Sequence, residues 1–81
     1  MTDSAIAARI INALESAANY EAGAKTGLVS VNIEMLAPAD AGAVNVQTQR
    51  KTRTLVFLHA DFRAQSGARI ASASSVHKIL V

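Results

Sequence analysis

The sequence predicts an α+β domain in which one long N-terminal helix packs on a four-stranded antiparallel sheet. Three observations predict it. Apolar residues recur at helical spacing in the first quarter of the chain. From residue 27 to residue 80 they recur at alternate positions, in four runs. Short stretches rich in Pro, Gly or charge separate those runs, so the expected order is a helix followed by a meander.

The helix is expected over about 4–22. Asp3 or Ser4 can cap its first turn, and Gly23 can end it in a left-handed conformation. Ile10, Leu14, Ala17 and Ala18 form an apolar stripe, widened by Ala7 and Ile11. The many alanines favour helix and let it approach a sheet closely. Asn12, Glu15, Ser16 and Asn19 form the polar side, and Glu15 lies one turn after Ile11, at the border of the stripe.

The strands are expected over about 28–36, 43–50, 54–63 and 68–80 of a single domain, 1–81. In the first, Val29, Val31, Ile33 and Met35 alternate with Ser30, Asn32 and Glu34. Pro38, which has no ladder donor, and Gly42 mark the turn that follows. Val44 and Val46 alternate with Asn45, Gln47 and Gln49 in the second strand. Leu55-Val56-Phe57-Leu58 is apolar at every position, which suits a central strand covered on both faces. Gln65-Ser66-Gly67 closes a hairpin into the fourth strand. There Ala71, Ser72, Ala73, Ser74 and Ser75 are small enough for the helix to lie across them.

An 81-residue chain buries only about 60–65% of its unfolded surface. One helix cannot cover both faces of four strands, and an open sheet has two free edges. A homodimer or higher homo-oligomer is therefore expected. The chain has no cysteine, which excludes disulfides, thiol nucleophiles and thiolate metal sites. No apolar run is long enough to span a bilayer and no signal-peptide pattern precedes the helix, so a cytoplasmic protein without membrane contact is expected.

Eight basic against six acidic residues leave a net charge of +2. Arg50, Lys51 and Arg53 form the one dense basic cluster, either a solvated hairpin connection or an anion site. Three scattered aromatics make no stacking platform, and nucleic acid is not an expected partner. His59 and His77 sit on separate strands without further ligands at metal spacing, so no metal site is expected. There is no nucleophile elbow, phosphate loop or dinucleotide fingerprint, and no cofactor is expected. Ser72, Ser74 and Ser75 have no base nearby in sequence and read as packing residues. Asp61 and Glu34 read as charges on a strand face, which leaves Glu15 as the carboxylate in the most suggestive setting.

Four segments in order resemble the hotdog-fold acyl-CoA thioesterases. Ala13-Leu14-Glu15-Ser16-Ala17-Ala18 is similar to their helix, where an acidic residue precedes small ones. Val31 to Gly42 is similar to the strand and the Pro…Gly turn that follow. Arg53-Thr54-Leu55 resembles the start of the central strand, and Gly67 to Ala73 the last hairpin with its small-residue strand. Against the family pattern this chain reads as a shortened member without the strand that precedes the helix. It also carries Ile6-Ala7-Ala8 where many members have a His-Gly-Gly-like stretch.

The resemblance implies an acyl-CoA or acyl-carrier thioester bound at a dimer interface. Glu15 would activate water or attack directly, with Asn12 or Asn19 orienting the water or the carbonyl. The acyl chain would lie beside Ile11 and Leu14, and Arg50, Lys51, Arg53 and Lys78 would meet the CoA phosphates. An alternative is a non-catalytic hotdog module that binds such a ligand or serves assembly. A third reading is an unrelated α+β protein that dimerises through its sheet. A dehydratase or isomerase of this fold is less expected, because such enzymes usually carry a catalytic histidine on or near the helix and this helix has none.

Overall fold

The computed structural model describes residues 1–80. One helix lies on one face of a four-stranded antiparallel sheet, as the alternation and the helical stripe predicted. Helix α1 spans Asp3–Ala22. Its N-cap is Thr2 rather than Asp3 or Ser4: the Thr2 hydroxyl accepts from the Ala5 N–H at 3.1 Å. Thr2→Ala should lower stability by about 1 kcal/mol, whereas Thr2→Ser should not; urea midpoints of the two variants check this. Gly23 ends the helix at φ 63°, and its N–H returns to the Asn19 and Tyr20 carbonyls.

Ile6, Ile10, Leu14 and Ala18, each four residues after the last, form the buried stripe of α1. It meets the inner face of strands β1 (Thr26–Met35), β2 (Ala43–Lys51), β3 (Leu55–Arg63) and β4 (Arg69–Ile79). Val56, Leu58, Ala60 and Phe62 line that face from β3, and Ala71 and Ala73 from β4. The small β4 residues let α1 sit close, as their size suggested.

The strands do not form a four-strand meander. The sheet order is β1-β4-β3-β2, so β2, β3 and β4 follow one another while β1 closes onto β4 from the other side. Residues 36–42 carry the chain from one edge to the other, past the start of the helix. Arg9 donates to the Gly42 carbonyl there at 3.0 Å. β3 is interior, as expected, but covered on one face only. Its Leu55, Phe57, His59 and Asp61 side chains alternate outward and stay half-buried.

Two bulges decide which residues share a face. In β1 the register shifts between Leu28 and Ser30, so Val29 leaves the inner row and Leu28 falls opposite His77. In β2 it shifts between Thr48 and Arg50, so Arg50 pairs with outward Phe57 and Lys51 with inward Val56.

Candidate functional site

The helix places Ile11, Asn12, Glu15 and Asn19 together on one flank, because residues three and four apart are neighbours on a helix surface. This flank faces β1. Asn19 fixes it there: its Oδ1 accepts from the Thr26 N–H at 2.9 Å and from the Thr26 hydroxyl at 2.7 Å. Asn19 therefore holds the helix to the start of β1. Ile11 is half-buried, while Asn12 and Glu15 are exposed. Leu14 turns away into the core and is 1% exposed.

The basic residues do not gather at one surface. Arg50 lies over the Phe57 ring on the outer face, 5.8 Å from its centroid. Lys51 points to the inner face and donates to the Glu21 carbonyl at 2.9 Å. It thus supplies the cation that the last helical turn lacks. Arg53 is exposed in the β2–β3 connection, and Lys78 is exposed on the outer face, level with Leu55. Alternation along a strand and the bulge after Thr48 separate Arg50 from its neighbour Lys51.

Beneath the Glu15 flank lies a polar pair that the sequence did not reveal as a unit. Ser75 and His77 are the polar residues buried in the core among the described residues, at 4% and 0% exposure. Their side chains are 2.7 Å apart, Oγ to Nε2. In the sequence Ser75 reads as a packing residue with no base nearby. The base is two residues on, on the same strand face, a spacing that period-two geometry makes adjacent. His77 Nδ1 is buried with no hydrogen-bond partner among the described residues. An orphaned buried polar group costs about 1–3 kcal/mol, so its retention in a small core asks for a reason.

Burial holds the His77 imidazole below its ordinary value of 6.5, and the negative charge of Glu15 opposes that shift. The folded chain therefore takes up a proton at His77 less readily than the unfolded chain. This contribution to stability is complete above about pH 6.5 and is lost as pH falls from there through the lower folded value. Urea unfolding at pH 7.5 and 5.5 should show a lower midpoint at the acid pH, and His77→Leu should lack most of that difference.

A second polar group occupies the outer face. Asp61 accepts from Arg69 Nε at 3.1 Å and lies 3.3 Å from His59 Nε2. Burial raises the Asp61 carboxyl most among the single effects, but Arg69 and His59 together outweigh it and hold the carboxyl below its ordinary value. Asn32, Glu34, His59, Ser72 and Ser74 line a shallow cleft of about 190 Å³ beside this network. A larger apolar groove of about 510 Å³ runs along Ala41–Asn45 and Arg63–Gly67, near the start of β2. None of the expected site residues lines it. No cluster of metal-binding side chains occurs among the described residues.

No protein-family model matches the chain, and no curated protein matches it in sequence. Solved structures match it in shape. The BH2602 protein from Bacillus halodurans, solved with CoA, has a TM-score of 0.90 at 12% identity, over 99% of this chain and 56% of that one. A protein of the thioesterase superfamily has a TM-score of 0.67 at 14% identity, over 85% of this chain and 60% of that one. A phenylacetic acid degradation-related protein from Ralstonia eutropha has a TM-score of 0.61 at 24% identity, over 70% and 44% of the two chains. The chain thus spans roughly half the length of the structures it matches. The likeness is one of fold, and the fold is the hotdog.

Proposed function

We infer that this chain binds an acyl-CoA-type thioester and hydrolyses it with Glu15 as the working carboxylate. One observation carries the reading. The chain follows, over almost its whole length, the fold of a protein solved with CoA, and it presents an acidic side chain at the middle of the helix. A carboxylate there can take a proton from water or attack the carbonyl itself. Asn12, one turn before Glu15, is free to orient the water, whereas Asn19 Oδ1 already accepts from Thr26. Arg53, in the β2–β3 connection, and Lys78 and Arg50, on the outer face, are exposed cations suited to phosphate. Assembly as a homodimer or larger homo-oligomer would cover the unprotected faces and edges of the sheet. A cytoplasmic setting goes with a CoA thioester as substrate.

A second reading has its own support. The Ile6 N–H is bonded to the Thr2 carbonyl at 3.1 Å and the Ala5 N–H to the Thr2 hydroxyl. Both are therefore taken up by the helix start rather than free for a thioester oxygen. This favours a module that binds the ligand without turnover. Thiol release from a panel of acyl-CoAs, with wild type and Glu15→Ala side by side, separates the two readings. Release by wild type alone supports hydrolysis. Thermal stabilisation by acyl-CoA without release supports binding only.

A further inference from the structure

We propose that Ser75, His77 and Glu15 form a hydroxyl–imidazole–carboxylate chain in which His77 positions Glu15. The proposal rests on the thioester reading above and adds the group that holds its carboxylate. Three independent features point the same way.

The first is level. Asn19 is pinned to Thr26, the first residue of β1, and Thr26 pairs with Ile79 of β4. Glu15 lies one turn back along the helix, about 6 Å at 1.5 Å per residue. β1 runs back in that same direction, and about 6.5 Å along it comes Leu28. Leu28 pairs with His77. The helix and the strand thus bring Glu15 level with His77, on the flank that covers β1 and β4.

The second is the tautomer. Among the described residues the Ser75 hydroxyl has one hydrogen-bond partner, His77 Nε2. If Nε2 carried the proton, both the Ser75 hydroxyl hydrogen and the Nδ1 lone pair would be left without partners. If Ser75 donates to Nε2, only Nδ1–H is left over. The arrangement with fewer orphans puts a proton on Nδ1, as a buried donor awaiting an acceptor. The third is charge. Among the described residues Glu15 is the carboxylate whose charge acts on His77, and the in-sheet neighbours of His77, Leu28 and Val56, carry none.

Burial decides the direction in which the chain works. Ser75 is 4% exposed beneath the helix and cannot meet a substrate carbonyl, so it is not the nucleophile. Glu15 is exposed and its side chain is long enough to fold inward. The hydroxyl therefore fixes the imidazole, and the imidazole donates Nδ1–H to the carboxylate. One carboxylate oxygen is held while the other stays free to face a water. His77 is a positioning residue in this scheme, not a catalytic one.

Long-range proton–nitrogen NMR of the full-length protein tests the chain directly. The expected spectrum shows His77 protonated at Nδ1 at neutral pH. Glu15→Gln should move the Nδ1 resonance and lower the midpoint of the His77 titration. Ser75→Ala should mix the tautomers and reduce kcat about tenfold or more, leaving KM nearly unchanged. Ser75→Cys keeps the volume but is a weaker donor, and should fall between wild type and Ser75→Ala. An Nε2-protonated ring, or a His77 resonance indifferent to Glu15→Gln, overturns the chain whatever the activity. So does labelling of Ser75 by a serine-reactive fluorophosphonate, which would make it a nucleophile. A wild type that shows these NMR couplings but releases no thiol supports the chain and defeats only the hydrolytic reading.

Discussion

Glu15→Ala is expected to remove thiol release from acyl-CoA while leaving the fold unchanged. Loss of a general base lowers rate by about 10²–10⁴-fold. The structural cost should be confined to one hydrogen bond. Glu15 is exposed and forms no salt bridge among the described residues, and alanine is the better helix former. The expected loss of stability is that of leaving the buried His77 Nδ1–H without its carboxylate acceptor, about 1–3 kcal/mol, which leaves the chain folded. Two neighbours act as controls. Asn12→Ala removes an exposed side chain and should lower kcat less. Asn19→Ala removes both bonds to Thr26, so it should reduce stability before it reduces kcat. Full activity in Glu15→Ala would remove the carboxylate from the mechanism.

The parts of the fold legible in the sequence were those set by local period. Ile10 and Leu14 lie on the buried stripe because a helix repeats every 3.6 residues, and Val31 and Ile33 turn inward because a strand repeats every two. Ala71 and Ala73 announced a close helix through their size. What the sequence did not show was anything that depends on a partner strand. The pairing of β1 with β4, rather than β2, is decided by the sheet as a whole. The extra residues at Val29 and Gln49 are ordinary strand residues whose bulges appear only against their partners' registers. Those bulges put Leu28 opposite His77 and decide that Lys51, not Arg50, faces inward. The same holds for the candidate site. Spacing gathered Ile11, Asn12, Glu15 and Asn19 on one helix flank, but the Ser75–His77 pair beneath them belongs to another element. Period two could have flagged that pair, since residues 75 and 77 must share a face. Its burial could not be read from a strand so rich in serine.

Gly42 is where a single methyl group should do the most damage to the fold. A Cβ built there would lie 2.5 Å from the Phe62 ring and 2.6 Å from the Arg63 carbonyl oxygen. The first contact is to a fully buried ring that Arg9 also covers, with its guanidinium 5.4 Å from the ring centroid. The second is to backbone in an interior strand, which has little room to yield. Overpacking of this kind costs about 1–3 kcal/mol, and Gly42→Val should exceed Gly42→Ala. Total stability for 81 residues is expected at only about 4–12 kcal/mol, so the loss is a large share. A double-mutant cycle with Phe62→Leu separates the two contacts. Phe62→Leu alone destabilises by leaving a cavity. Combined with Gly42→Ala it should recover the part owed to the ring and not the part owed to the Arg63 carbonyl. The double variant should therefore be more stable than the sum of the single losses predicts, by a coupling of about 0.5–3 kcal/mol. Strict additivity would place the whole clash on the backbone. Urea unfolding of the four proteins reads the coupling, and it also tests the path of residues 36–42, since only a crossing that presses Gly42 against β3 makes Phe62 its neighbour.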